Sequence, residues 1–377
     1  MSGQTILITG GAGFIGSHLA DELLAHGYRV RALDSLNPQV HGTNGDGRAH
    51  RPDYLDDDVE LIHGDIRDAA TVRKAVKGVD AVYHLAAAVG VGQSMYQIAN
   101  YTSLNNLGTA VLLEALIERP VERLVVASSM SIYGEGLYRA PDGSISKGLE
   151  RTAKQLEEHQ WEVRNNRGEA LTPVPTPETK QPTLASVYAL SKFDQERMCL
   201  MVGRAYKIPT VALRFFNVYG PRQALSNPYT GVLAIFASRL MNDRPPVIFE
   251  DGLQQRDFVS VHDIARACRL AMEVPEAAGG VFNVGSGRPQ SVVQIARAIA
   301  EVLGKEHIEP EISGKYRVGD IRHCFADIKL ARRVLGYQPQ VAFDDGLVEL
   351  AGWLETQEAE DRVAQARAEL DARGLAI

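Results

Sequence analysis

The sequence predicts an α/β fold, a parallel sheet covered by helices on both faces. Three observations carry it: a strand, glycine turn, helix, strand opening; apolar β-branched runs that recur along the chain; and helical apolar spacing between most of them. Residues 5–9 (TILIT) read as a strand buried on both faces. Gly10 to Gly16 form a glycine cluster, and residues 17–26 carry helical apolar spacing at Leu19, Leu23 and Leu24. Gly27 stands where a helix C-cap would be. Residues 28–33 are the second strand, ending at Asp34. Similar runs follow at 59–63, 81–86, 124–128, 211–216 and 281–284, with helical patterns at 69–76 and 108–116.

Two stretches break the rhythm. Residues 37–58 are polar and rich in Gly, Asp and His, and are expected to form a long surface loop. Residues 135–182 form an insert with charged helical character at 148–161, then Thr172-Pro-Val-Pro-Thr-Pro177. Such an insert is usually a lid or an interaction loop, and sometimes merely tolerated. The tail, 343–375, reads as charged amphipathic helix.

Composition narrows the function. The 377 residues carry 40 Lys plus Arg against 47 Asp plus Glu, a net charge of −7 that argues against a nucleic-acid partner. At 45% hydrophobic and 23% charged residues, a large core is expected. Cys199, Cys268 and Cys324 lie far apart, so neither a disulfide framework nor a thiolate metal site fits. No apolar run reaches the roughly 18 residues needed to span a bilayer, and no secretory signal precedes the first strand. A soluble, cytoplasmic protein without a metal is expected.

Gly11-Ala12-Gly13-Phe14-Ile15-Gly16 satisfies G-x-G-x-x-G, with Gly10 in front. Such glycines bring backbone N–H groups against a pyrophosphate at a helix N-terminus. Alone the motif is weak, but here it follows a strand and opens a helix. Asp34 closes the next strand, where a carboxylate can accept from an adenosine ribose and repel a 2′-phosphate, so NAD is favoured over NADP. Tyr188 and Lys192 lie four residues apart, on one face of a helix. The spacing alone proves little. Its use is plain, since a nearby ammonium and a positive nicotinamide ring would lower the Tyr pKa from ~10 and make it a base toward a sugar hydroxyl.

At this point the chain resembles the extended short-chain dehydrogenase/reductases, in their nucleotide-sugar epimerase and dehydratase branch. The resemblance covers about residues 4–340. It rests on Thr9-Gly10-Gly11-Ala12-Gly13-Phe14-Ile15-Gly16, Gly64-Asp65-Ile66, His84-Leu85-Ala86-Ala87 and Asn105-Asn106-Leu107-Gly108-Thr109. Further on it rests on Ser128 to Gly134, Tyr188 with Lys192, Leu213 to Pro221 and Arg256-Asp257-Phe258-Val259. It implies a Rossmann-type doubly wound sheet (1–221 plus 257–287, with insert 135–182) and a smaller substrate-binding lobe (222–256 plus 288–377). Gly10, Gly13, Phe14, Ile15, Gly16, Asp34, Asp65, Ile66, Ala86 and Asn105 should line the NAD, with Tyr188 and Lys192 at the nicotinamide ribose. Ser129 takes the catalytic Ser/Thr position beside Tyr188. Asn217, Arg256 and Arg317 match positions that grip a diphosphate, for which an Arg fork suits. Ser131, Asp320 and Cys324 should border the sugar, with Cys324 at a gatekeeper position. Relatives also pair helices like 102–116 and 186–206 between subunits, so a homodimer is expected.

The resemblance includes epimerases, 4,6-dehydratases, decarboxylases and net ketoreductases. Its lyases carry Asp-Glu, or the Glu alone, just after the catalytic hydroxyl. Here those positions are Met130 and Ser131. Met cannot transfer a proton and a lone Ser is a poor acid or base, which disfavours the lyases, and Asp34 disfavours an NADPH-using ketoreductase. C4 epimerisation of a nucleotide-diphosphate hexose is expected, with dehydratase, decarboxylase and net 4-ketoreductase as the alternatives. The wording of 128–138, 185–192 and 223–239 resembles dTDP-L-rhamnose 4-epimerases more than galactose enzymes. Composition and spacing do not separate UDP from dTDP.

Overall fold

The computed structural model describes residues 3–42, 50–147, 150–225, 231–316, 320–357, 369 and 372–373. Strand β1 (Thr5–Thr9) turns through the glycines into α1 (Phe14–Ala25), and β2 (Arg29–Asp34) follows. Gly27 takes a left-handed φ of 81° just beyond the helix end, where glycine carries no Cβ penalty. The alternation continues with α2 (Pro38–His41), β3 (Glu60–His63), α3 (Ala69–Ala75) and β4 (Ala81–His84). Helices α4 (Val91–Ser94) and α5 (Ile98–Tyr101) lead into a π-helical stretch, Thr102–Leu107, and on into α6 (Gly108–Glu118). Strand β5 (Arg123–Ser129), buried along its whole length, ends in a 3₁₀ turn at Met130–Tyr133.

The insert contributes β6 (Leu137–Arg139), β7 (Ile145–Ser146), α7 (Ala153–Glu157) and β8 (Thr172–Val174). Next come α8 (Val187–Tyr206), β9 (Thr210–Phe215), β10 (Asn217–Tyr219), α9 (Val232–Met241) and β11 (Val247–Ile248). After them run β12 (Gln255–Ser260), α10 (Val261–Glu273), β13 (Val281–Val284), β14 (Pro289–Ser291) and α11 (Val292–Val302). The described chain closes with β15 (Glu311–Ile312), β16 (His323–Cys324), α12 (Lys329–Leu335) and α13 (Phe343–Leu354).

Seven parallel strands form the main sheet in the order β13-β9-β5-β4-β1-β2-β3. This is the doubly wound arrangement that the alternating pattern predicts, and the order reverses between β1 and β4. Helices α1 and α10 pack together on one face, while α6 and α8 cover the other. A smaller sheet of β10, β12, β14 and β16 joins α9, α11 and α13 around a separate core that includes Phe236, Ile295 and Leu350.

Two expectations are corrected. The stretch 37–58 is not a simple surface loop: Leu55 is buried, and the Tyr54 hydroxyl donates to the Ala12 carbonyl at 2.9 Å. This fastens the stretch onto the glycine turn; residues 43–49 lie outside the described residues. In the insert the helix expected over 148–161 is confined to Ala153–Glu157, with 148–149 outside the described residues. The chain leaves the helix because His159 adopts φ 55°, Trp161 packs toward Tyr316, and Glu162 is drawn to Arg322. The insert also holds a small antiparallel sheet, β7-β6-β8, beside a cluster of Tyr138, Ala140, Val163 and Leu171.

That insert is bound to the smaller lobe by buried charge. The Arg322 side chain is fully buried and meets Glu162 at 2.5 Å, Asp251 at 2.6 Å and Glu250 at 3.0 Å. Arg151 meets Glu250 at 2.7 Å, and Glu135 accepts the Arg322 backbone N–H at 2.7 Å. A buried guanidinium is tolerated only with such complete pairing.

Candidate active site

The site forms at the C-terminal ends of β1 and β4, where the sheet order reverses. Gly10 has φ 73°, and a Cβ there would lie 2.9 Å from the Ala86 nitrogen; one on Gly16 would lie 2.2 Å from the Gly10 oxygen. Only glycines allow this approach. Gly13 caps α1 with no side-chain bond, leaving the N–H groups of the Phe14–Ile15 turn open to an anion. Asp34 is buried, its two oxygens held by the Ala12 and Leu36 N–H groups at 3.0 and 2.9 Å. Ile66 is buried against Gly108, while the Asp65 carboxylate is engaged by the Arg67 fork and held below its usual range.

Asn105 sits in the π-helical stretch, a distortion frequent at functional sites. Its amide bonds Ala88 N at 2.7 Å, Ala88 O at 3.1 Å and Ser191 Oγ at 2.9 Å. It thereby fixes the strand exit after Ala86 to the helix that carries Tyr188 and Lys192. Tyr188 is further held by its N–H, which donates to Ser94 Oγ at 3.0 Å.

Ser129 ends β5, and its hydroxyl lies 2.8 Å from that of Ser131. Burial raises the Tyr188 phenol above its ordinary value, and a hydrogen bond with Ser129 opposes the rise. The lowering expected from the Lys192 ammonium together with a positive nicotinamide ring belongs to the cofactor-bound site, and Lys192 is not among the causes of the shift here. Lys192 Nζ instead donates to Gln195 Oε1 at 2.8 Å, and desolvation brings the ammonium down to about 8. No second protein acceptor for Lys192 is found among the described residues, so two N–H directions stay available. A buried ammonium with spare donors, an open helix N-terminus and a glycine cradle together fit a dinucleotide.

On the substrate side, Asn217 carries a buried side-chain oxygen without a partner. The Arg256 guanidinium donates to the Gln255 and Arg322 carbonyls at 3.0 Å each, and to that of Ile321, with Asp320 at 3.6 Å. Its fork is thus largely engaged along 320–322. Cys324 is buried on β16, 3.9 Å from Thr176 Oγ1, with its thiol pushed up to about 12. Arg317 lies outside the described residues. Among those described, no cluster of His, Cys, Asp and Glu could hold a metal, and no helix is long and apolar enough to cross a membrane.

Sequence reasoning missed Gln195, although its position three residues after Lys192 on one helix was a usable signal. It also missed the Glu196–Arg214 pair (2.7 Å) behind β5, where Ser128 donates to Glu196 at 2.7 Å and so fixes the strand end that presents Ser129.

Residues 6–154 and 168–285 match the model of the NAD dependent epimerase/dehydratase family. A dTDP-L-rhamnose 4-epimerase of Burkholderia thailandensis is 36% identical, covering 94% of this chain and 96% of its own. The Thermus thermophilus UDP-glucose 4-epimerase solved with NAD is 30% identical with a TM-score of 0.72, covering 94% of this chain and all of its own. A UDP-glucuronic acid 4-epimerase of Bacillus cereus, solved with UDP-glucuronic acid and NAD, is 28% identical with a TM-score of 0.76, covering 93% of this chain and 99% of its own.

Proposed function

The chain belongs to the NAD dependent epimerase/dehydratase family, and from that premise we propose that it inverts C4 of a nucleotide-diphosphate hexose through a 4-keto sugar. One observation carries the reading. The buried turn beside Tyr188 offers hydroxyls at Ser129 and Ser131, flanks Met130, and bears no carboxylate. Loss of water across C5 and C6, or of carbon dioxide, needs an acid or base that this turn does not supply.

Tyr188 takes the proton of the sugar 4-hydroxyl, with Ser129 orienting that oxygen and Ser131 supporting Ser129. NAD, when bound along Gly10–Gly16, Asp34 and Lys192, supplies the hydride chemistry at C4. Lys192 stabilises the phenolate and holds the ribose. Asn217, Arg256 and Arg317 retain the diphosphate while the keto sugar turns. Tyr188 then returns its proton to the oxygen on the opposite configuration.

A dTDP-linked 6-deoxyhexose of the L-rhamnose type is the favoured substrate, supported by the Burkholderia relative and by the residue wording of 128–138 and 185–192. A homodimer is favoured by large apolar residues exposed on the helices expected to pair: Leu107, Leu190 and Met201. Three buried, unpaired cysteines suit a reducing cytoplasm. Incubation with UDP- and dTDP-hexoses, with products read by NMR, tests the reaction. The C4 epimer is expected, and steady release of a 4-keto-6-deoxy sugar would overturn it.

A further inference from the structure

Lys192 is buried and has no carboxylate among its hydrogen-bond partners. Its recorded acceptor is the carboxamide oxygen of Gln195, itself fully buried. The orientation of that carboxamide is fixed by what lies beyond it. Gln195 Nε2 donates to Thr109 Oγ1 at 2.9 Å, and the Thr109 hydroxyl spends its proton on the Asn105 carbonyl. Gln195 Nε2 also lies 3.2 Å from His84 Nε2 and 3.5 Å from the Ala86 carbonyl, and His84 Nε2 lies 2.8 Å from Thr109 Oγ1. With the ring proton on Nδ1, toward Thr9 Oγ1 at 2.8 Å, His84 Nε2 accepts from the Gln195 amide. Burial holds His84 down to about 3, which keeps the ring neutral. The contacts thus run from the glycine turn at Thr9 to the catalytic lysine, and the groups around Gln195 Nε2 all serve as acceptors, which leaves Oε1 facing Lys192.

We infer that Gln195 is a positioning residue: its carboxamide, locked by Thr109 and His84, holds the Lys192 ammonium without neutralising it, leaving the full charge for the Tyr188 phenol and the cofactor ribose. A carboxylate here would hold the ammonium as firmly but cancel the charge the reaction uses. An apolar residue would leave the charge without its acceptor. The ionisable groups around Lys192 are Tyr188, Glu196 and Cys199 on α8 and His84 on β4. Glu196 is committed to Arg214, and the Cys199 thiol, pushed up to about 12, stays neutral. None of them duplicates the part of Gln195.

The inference rests on the epimerase reading for its kinetic arm, while its NMR arm is independent of any reaction. The protein as purified is labelled with [ε-13C]lysine, and Lys192 is assigned with Lys192→Arg. Gln195→Glu should move the Lys192 titration upward by about one unit or more, because an opposite charge favours the ammonium. Gln195→Leu should move it downward, since the charged form loses its acceptor. Gln195→Met reads the same loss if the Leu variant does not fold. In kinetics, Gln195→Glu should shift the acid limb of kcat/KM to higher pH, and Gln195→Leu should lose activity from the alkaline side. Unchanged midpoints, or shifts in the same direction, in folded variants overturn the inference even if epimerisation is intact. Opposite shifts in a protein that does not epimerise support the inference and instead remove the reading of the reaction.

Discussion

Replacing Tyr188 by Phe removes one transferable proton and leaves the ring to fill the same space. The structure isolates that change well. Tyr188 is fixed through its backbone, by Ser94 on its N–H and Ser191 on its carbonyl, so helix α8 should not move. Asn217, Arg256 and Cys324 belong to other elements and keep their contacts. Loss of a general acid–base group lowers turnover by about 10²–10⁴, or about 3–5 kcal/mol at 1.36 kcal/mol per tenfold. The pH profile adds a sharper signature. Because burial raises the phenol, activity in the wild type should climb with pH as phenolate forms, and that limb should vanish in the variant. Turnover is measured by NMR on the hexose preferred in the panel, and affinity by calorimetry. Binding should survive within a few-fold. Near-normal turnover in Tyr188→Phe would refute the mechanism whatever the sugar.

Ser129→Ala should slow turnover by roughly tenfold, less than Tyr188→Phe, because the Ser131 hydroxyl stands 2.8 Å away and can take over; Ser129→Ala with Ser131→Ala should lose clearly more, and equal losses would argue against that substitution. Denatured protein should release NAD into the supernatant, and Asp34→Ala should narrow the preference for NAD over NADP in a binding titration. Arg322→Met leaves buried Glu250 and the Glu162 contact undercompensated and should destabilise the fold by about 3–5 kcal/mol in urea unfolding. The Glu162 carboxyl is held down to about 2, chiefly by the His323 hydrogen bond. Its folded value is depressed, so its contribution is present above its ordinary 4.5 and is lost as pH falls toward 2. Proteolysis of the insert should accelerate across that window, and less so in Glu162→Gln. Leu190→Asp with Met201→Glu should give a monomer by light scattering.

The sheet and the cofactor turn were legible because each rests on local signals. Buried parallel strands advertise themselves as short β-branched runs, and Gly10, Gly11 and Gly16 are required by backbone approaches of under 3 Å. Strand ends were legible to within about two residues, as at β4, which stops at His84 rather than Ala86. The insert was not legible, because its structure depends on distant charge. Residues 148–161 have helical composition, yet Glu162 answers to Arg322 and Trp161 to Tyr316. The environment of Lys192 was hidden for the same reason. A Lys four residues after a Tyr says which face it occupies, and nothing about a threonine and a histidine on two other elements that orient its acceptor.

The fastening of the insert also sets an order in time. Ser129 and Tyr188 flank an insert whose anchor is Arg322, 187 residues beyond Glu135 and 160 beyond Glu162. The last strand of the main sheet, β13, is complete at Val284, some 38 residues before that anchor. At about 5–20 residues per second a nascent chain passes roughly 2–8 seconds with the sheet able to close and the insert untethered. Contacts of such long separation are slow to form, so assembly of the catalytic pair should be a late event in synthesis and refolding. A chain halted between 285 and 320 would keep every strand of the main sheet and still lack the tether that seats its active-site insert.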